Sequence, residues 1–173
     1  QMVKTSFDFG MSFSQAVDVS ALAPGEPCDC CQSTLVSGLN SIFLLFRNNN
    51  VNIRNSYIAQ STDEGLSFTA FQDLDDIDWI LNDCPTSSPV GAVIGDSMMT
   101  VRRNGGAGIN ELYKSNVNTV DLQKSYFTQL ESSGSSLQDH PKITSDLNNF
   151  VTVWEENRNG IKESFYNVMG NNG

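Results

Sequence analysis

The sequence is poor in basic residues, has one histidine and contains no long hydrophobic run. It has 10 Lys and Arg residues against 20 Asp and Glu, which gives a formal net charge of -10. Because nucleic acids and anionic membrane surfaces are bound through basic faces, this balance argues against both as partners. The longest apolar run, residues 42–46, is too short to cross a bilayer. We therefore expect no nucleic-acid partner and no membrane span.

The sequence also lacks a recognisable signal peptide, and no segment has a sustained helical period beyond one short turn at 75–81. The missing signal fits either a cytosolic protein or a processed or trimmed chain. We prefer the second interpretation, because the chain opens in the middle of the repeated motif described below. It predicts a secreted, periplasmic or cell-surface location.

The cysteines are few, and most of them are crowded together. They are Cys28, Cys30, Cys31 and Cys84. An even number of cysteines suits disulfides in an oxidising compartment, whereas several thiols in so short a stretch suit a soft metal ion. Composition leaves both interpretations open.

A short motif occurs twice and sets the repeat of the chain. Residues 6–13 and 61–68 both follow the pattern Ser-x-Asp-x-Gly-x-Ser-Phe, and their first residues are 55 positions apart. Degenerate copies in the same register cover residues 115–119 and 169–173. The aspartate can accept hydrogen bonds from its own turn, and the glycine supplies the positive φ that such a turn needs. We predict a structural role, not a catalytic one, for Ser6, Asp8, Gly10, Ser61, Asp63 and Gly65.

Short strands separated by turn-rich stretches, such as 104–108 and 132–136, fill the rest of the chain. The predicted strands are 13–19, then 32–36, 42–47, 56–60 and 69–73, then 90–94, 98–102, 111–114 and 125–130, and finally 142–145, 150–155 and 162–168. Four strands in a repeat of about fifty residues are typical of a β-propeller blade. The chain then divides into the last strands of one blade (1–26), two blades (27–80 and 81–135) and an incomplete blade (136–173).

The repeated motifs resemble the Asp-box (BNR) repeats of sialidases and their non-enzymatic relatives. More narrowly, the chain resembles a sialidase-like bacterial propeller group at Pro27-Cys28-Asp29-Cys30-Cys31, Phe46-Arg47, Arg54, Trp79 and Asp83-Cys84-Pro85. The resemblance covers nearly the whole chain. It implies an all-β propeller of four-stranded antiparallel blades, with the boxes on the outer rim, away from the functional face.

The chain is short for such a propeller. Propellers have roughly four to eight blades, so about three blades make half of a six-bladed ring. Two copies in a two-fold homodimer would complete the ring. The alternative is a piece of a longer chain.

Three groups of residues occupy the same place in successive repeats, just before the innermost strand of each predicted blade. Cys30 and Cys84 are 54 positions apart, and Cys84 and His140 are 56 apart. Innermost strands surround the central channel, so these groups should converge there. Thiolates with an imidazole favour Cu(I) or Zn(II), which predicts a copper or zinc site formed by Cys28, Cys30, Cys31, Cys84 and His140. The alternative is a disulfide from Cys84 to one of the cluster, which leaves two thiols or a vicinal bridge and no cofactor.

Charged residues at the ends of second strands, and in the loops beside them, should share the face of the cysteines. We predict that a ligand-binding face is formed by Arg47, Arg54, Asp83, Arg102, Arg103, Asp139 and Glu155. Sialidase chemistry needs an arginine cluster, a tyrosine–glutamate pair and an acid. No such pair can be assigned, and the Arg-Ile-Pro motif of sialidases is absent. We therefore favour a binding protein, with carbohydrate as a candidate ligand, over an exo-glycosidase. A glycan-binding module with purely structural disulfides is the remaining alternative.

Overall fold

The chain is all-β, with antiparallel sheets. A computed structural model describes residues 1–131, 134 and 136–170. Within these ranges the only helix is a short 3-10 turn at Ser20–Leu22, and the helical turn expected at 75–81 does not form. The predicted turn at 132–136 and the degenerate motif at 169–173 fall in part outside the described residues.

Three sheets follow a short N-terminal pair of strands, β1 (Met2–Val3) and β2 (Val17–Asp18). Sheet I contains β3 (Glu26–Pro27), β4 (Thr34–Ser37), β5 (Ile42–Asn49), β6 (Ser56–Ser61) and β7 (Ala70–Asp73). Sheet II contains β8 (Val90–Ile94), β9 (Ser97–Asn104), β10 (Glu111–Asn118) and β11 (Thr128–Gln129). Sheet III contains β12 (Leu137–Ser145), β13 (Asn149–Arg158) and β14 (Ile161–Gly170). Neighbouring strands are consecutive in sequence, except that β3 and β4 both pair with β5.

Apolar clusters lie between successive layers of the molecule, which pack face to face in chain order. One cluster lies between the N-terminal segment and sheet I, one between sheets I and II, and one between sheets II and III. In this order their central residues include Val19, Leu44 and Phe46; Phe43, Leu45 and Met98; and Val101, Phe150 and Trp154. Strand β5 is therefore buried on both faces, which accounts for the continuous apolar run at 42–46.

Sheet III shows the opposite pattern, because only one of its faces is covered. In β13, Phe150, Trp154 and Glu156 point into the core, while Val153 and Glu155 are exposed. This alternation is the period expected of a strand with one buried face.

Several strands differ in length from the sequence prediction; β10, for example, continues four residues beyond the predicted 114. The strand expected at 13–19 is reduced to β2, and the strand expected at 125–130 is reduced to β11. Both are edge strands that pair on one side only. In contrast, β12 begins five residues before the predicted 142 and shifts register between Asp139 and Lys142. His140 there has a φ of 51°, and Pro141 has no N–H to donate, so the strand bulges.

The two complete motifs form the same hydrogen-bonded turn. The carboxylate of Asp63 accepts hydrogen bonds from the Ser67 backbone N–H at 2.8 Å, the Ser67 hydroxyl at 2.6 Å and the Ser61 hydroxyl at 2.8 Å. Gly65, with a φ of 85°, donates its N–H to Ser61 Oγ at 2.8 Å. The motif around Asp8 repeats these contacts with Ser6, Gly10 and Ser12. Each motif is thus a turn whose polar groups satisfy one another.

Candidate metal centre

Three cysteine sulfur atoms lie together in the turn between β3 and β4 of sheet I. The Sγ atoms of Cys28, Cys30 and Cys31 are within 4.8 Å of one another, which is close enough to hold a metal ion. The Cys28 N–H donates to the Arg47 carbonyl at 3.0 Å, and the Cys31 N–H donates to the Cys28 carbonyl at 3.3 Å. The turn is therefore anchored to β5. Cys28 and Cys31 are buried, whereas Cys30 is exposed.

The fourth cysteine joins this group through a disulfide. Cys30 is bonded to Cys84, with their Cα atoms 6.2 Å apart, while Cys28 and Cys31 are free. The bond ties the segment between β3 and β4 of sheet I to the segment before sheet II. This is the arrangement that the disulfide alternative predicts, with two thiols left over. A sulfur in a disulfide does not ligate a metal ion, so the three-thiol arrangement requires a reduced Cys30.

Arginine side chains surround the Cys28 sulfur. Arg54 Nη1 lies 3.7 Å from Cys28 Sγ, and Arg54 is held there because its Nε donates to the Leu81 carbonyl at 3.1 Å. The charge of Arg47 also acts on the sulfur. These guanidinium groups favour the negative form of the Cys28 sulfur.

The two free thiols consequently titrate very differently. Their sulfur atoms are 3.2 Å apart: the protonated Cys28 donates to Cys31, and once Cys28 has lost its proton the Cys31 S–H donates to the Cys28 thiolate. That hydrogen bond, aided by the Cys30 backbone N–H and the charges of Arg54 and Arg47, lowers the pKa of Cys28 from 9.0 to about 6. The same hydrogen bond, together with burial, raises the pKa of Cys31. These opposite shifts favour ionisation of Cys28 before Cys31.

Two of the arginines predicted to face a ligand are buried instead. Arg47 is 1% exposed and Arg102 is 0% exposed. Arg47 donates to the carbonyls of Arg54 and Arg103 and stacks on Trp79, with its guanidinium carbon 5.2 Å from the ring centroid. Arg102 pairs with Asp75. The prediction that these two side chains form a ligand-binding surface is therefore wrong for this structure, because neighbouring sheets cover both faces of their strands.

Three of the other predicted face residues, Arg103, Asp139 and Glu155, lie together at the start of sheet III. Arg103 pairs with Asp139, and His140 Nδ1 lies 3.3 Å from a Glu155 carboxylate oxygen. These residues line a pocket of about 120 Å³. His140 also lines a pocket of about 220 Å³ that includes Cys30, but it is not part of the close sulfur group. The predicted five-residue metal site thus divides into three adjacent sulfurs, a disulfide partner and a histidine held by a carboxylate.

Asp83 and Asp139 play matching local roles. Asp83 accepts the N–H of Cys84 at 2.7 Å, and Asp139 accepts the N–H of His140 at 2.8 Å. Each carboxylate thus supports the turn that presents the next residue. The side chain of Asp83 is exposed to solvent.

The sequence prediction missed two residues that shape this region. Asp75 is the buried counterion of Arg102, and Trp79 lies between the guanidinium groups of Arg47 and Arg103, each about 5 Å from its ring centroid. Asp75 stands in an acidic stretch that carries no repeat signal. The only available signal is indirect: buried arginines require carboxylates, carbonyls or aromatic rings around them.

Comparison with protein-family models, curated proteins and solved structures finds no match to this chain. In the part of the chain that the structure describes, no helix is long and apolar enough to cross a membrane.

Proposed function

We propose that this protein binds a soft metal ion, Cu(I) or Zn(II), through the thiolates of Cys28, Cys30 and Cys31 once the Cys30–Cys84 disulfide is reduced. The observation that carries the proposal is the separation of at most 4.8 Å among the three sulfur atoms. Thiolates are the ligands that select Cu(I) and Zn(II) over hard cations. Reduction also frees Cys84, which stands beside the group as a further ligand.

The charges around the cluster support the same proposal. A Cu(I) or Zn(II) ion bound by several thiolates leaves an anionic centre, and a buried charge needs compensation. Arg54 lies 3.7 Å from Cys28 Sγ, and the buried Arg47 lies close enough for its charge to act on Cys28 and Cys31. An anionic metal–thiolate centre would meet two positive side chains already in place.

The fold we propose for the whole assembly is a six-bladed, sialidase-like propeller made from two copies of the chain. Its support is the face-to-face packing of consecutive antiparallel sheets and the exposed apolar side chains on the outer face of sheet III, which include Val153, Tyr166 and Val168. A next blade would cover that face. Sedimentation should then show a dimer that Tyr166→Glu dissociates, and a wild type that stays monomeric at all concentrations would contradict the assembly.

Sialidase-type hydrolysis finds less support than metal binding. The side chains of Arg47 and Arg102 are enclosed by protein contacts, so they do not offer an open cluster to a substrate carboxylate. We therefore retain binding as the proposed activity and propose a secreted or periplasmic setting in which the redox state of Cys30 and Cys84 varies.

The test is metal analysis of protein reduced and loaded anaerobically, with free thiols counted on the same sample. About one ion per chain is expected for the wild type, with loss of binding in Cys28→Ser and Cys31→Ser. Cys84→Ser is the matched control, because it abolishes the disulfide and leaves the three sulfur atoms free. This variant should bind without prior reduction. Failure of fully reduced, folded wild type to retain Cu(I) or Zn(II) would overturn the proposal.

A further inference from the structure

The free thiols and the disulfide lie in direct contact with one another. Cys28 Sγ is 3.6 Å from Cys30 Sγ, one of the two disulfide sulfurs, and 3.2 Å from Cys31 Sγ. We propose that the four cysteines exchange their disulfide internally, so that the bond moves from Cys30–Cys84 to Cys28–Cys31. This activity is independent of the proposed metal binding.

The exchange needs no external oxidant or reductant. The Cys28 sulfur, as thiolate, bonds to Cys30 Sγ, the Cys30–Cys84 bond breaks, and its electron pair leaves on the Cys84 sulfur. The proton given up by Cys28 is balanced by protonation of Cys84. In the second step Cys31 gives up its proton as its sulfur bonds to Cys28 Sγ, the Cys28–Cys30 bond breaks with its electron pair on the Cys30 sulfur, and Cys30 takes up a proton. One disulfide and two thiols are present before and after.

The positions of the sulfurs favour this route. The backbone of Cys28 is fixed by its hydrogen bond to Arg47, at 3.0 Å, and its sulfur already lies 3.6 Å from Cys30 Sγ. Arg54 Nη1, at 3.7 Å from Cys28 Sγ, stabilises negative charge on that sulfur. The second step uses the pair of sulfurs that are already 3.2 Å apart.

The exchange would move the reactive thiols from the interior to the surface. In the described form the free cysteines, Cys28 and Cys31, are buried, whereas Cys30 is exposed and lines the pocket of about 220 Å³. In the exchanged form Cys30 and Cys84 become the free dithiol. The covalent tie between the β3–β4 segment of sheet I and the segment before sheet II is released at the same time.

The test is alkylation of the native, metal-free protein with a small reagent, in the presence of chelator and without reductant. The sites are then mapped by mass spectrometry after acid quenching. Wild type should incorporate label at Cys84, although Cys84 begins in a disulfide. Cys31→Ser should stop at the first step and accumulate a Cys28–Cys30 bond with labelled Cys84.

The matched control is Cys28→Ala, which removes the attacking sulfur and keeps Cys30, Cys31 and Cys84. It should lose labelling at Cys84 and retain the Cys30–Cys84 bond. Labelling of folded wild type confined to Cys28 and Cys31 would overturn the proposal, as would equal labelling of Cys84 in wild type and Cys28→Ala. Because no metal is present, failure of metal binding would leave this result unchanged, and failure of exchange would leave the metal titration unchanged.

Discussion

Two buried arginines in adjacent sheets have very different surroundings. Arg102 in β9 donates from Nε to Asp75 at 3.1 Å and from Nη2 to the Ser115 hydroxyl at 2.9 Å, and both partners in the ion pair are fully buried. Arg47 in β5 donates to main-chain carbonyls and stacks on Trp79. Among the described residues, no carboxylate forms an ion pair with Arg47, and its Nε has no hydrogen-bond partner.

The two arginines therefore differ in what their charge can do: that of Arg102 stabilises the core, whereas that of Arg47 is available to a nearby anion. The charge of Arg102 is neutralised by a carboxylate of the same core. Asp75 forms no ion pair with Arg47, although its charge still attracts the Arg47 guanidinium. The charges of Cys31 and Cys28 attract the same guanidinium more weakly. A buried cation without a close counterion favours anions beside it. The charge of Arg47 therefore adds to the hydrogen bond from Cys31 and the charge of Arg54 in favouring the negative form of Cys28.

The largest effect is expected for Arg102→Met. The substitution leaves Asp75 buried without its partner, and breaking a buried ion pair in this way costs about 3–5 kcal/mol of unfolding free energy. Urea unfolding followed by fluorescence gives the value. The double variant Arg102→Met with Asp75→Leu should recover much of the loss, because it removes the stranded charge. A loss below about 1 kcal/mol for Arg102→Met would show that the pair has no structural role.

A smaller effect on stability, and a larger one on chemistry, is expected for Arg47→Met. The variant gives up hydrogen bonds to carbonyls, worth about 1 kcal/mol each, but no longer buries an unpaired charge. It should therefore be less destabilising than Arg102→Met, and it should raise the pKa of Cys28. Thiolate absorbance as a function of pH measures the second effect. Equal losses of stability in the two variants would remove the distinction between the arginines.

The sequence predicts the strands and the contact between distant cysteines better than it predicts which arginines are buried. The spacing of Cys30 and Cys84 matched one repeat, and the structure joins them across neighbouring sheets. Side-chain direction was harder to predict, because β5 and β9 are covered on both faces. In such strands the alternation that marks solvent-facing residues disappears, so Arg47 and Arg102 could not be recognised as buried.

The choice among the cysteines was also beyond the sequence. Cys28, Cys30 and Cys31 are so close in the chain that spacing does not tell which one reaches Cys84. The backbone hydrogen bonds of the turn settle it, because they direct Cys28 and Cys31 inward and leave Cys30 exposed. By comparison, the two Ser-x-Asp-x-Gly-x-Ser-Phe turns depend on contacts within eight residues, and that is why the motif alone predicted them.

The thiolate beside Arg47 makes stability depend on pH. Folding lowers the pKa of Cys28 from 9.0 to about 6, so the unfolded chain binds more protons between these values. The Cys28 contribution is therefore fully present above pH 9, declines as the pH falls, and is lost below about pH 6. Urea unfolding of the metal-free protein should show this rise from pH 6 to 9 in wild type. A slope that persists unchanged in Cys28→Ser would assign it to other groups.

The smallest effects are expected at the two Ser-x-Asp-x-Gly turns, where hydrogen bonds satisfy the aspartate carboxylates near the surface. Asp8 and Asp63 accept equivalent hydrogen bonds, but Phe68 after the second box is 6% exposed and Phe13 after the first is 60% exposed. Loss of the Asp63 turn therefore disturbs core packing as well as the turn. We expect Asp63→Ala to lower the thermal midpoint more than Asp8→Ala, and both less than Arg102→Met.

The first of these turns also predicts a dependence of stability on pH. Hydrogen bonds from Ser12 and Ser6 lower the pKa of Asp8 from 3.8 to about 2, so its contribution is present above pH 3.8 and is lost as the pH falls through 2. Asp8→Ala should match wild type more closely at pH 2 than at pH 5. If Asp8→Ala instead destabilised the protein as much as Arg102→Met, the cost of removing a charge here would not depend on its burial.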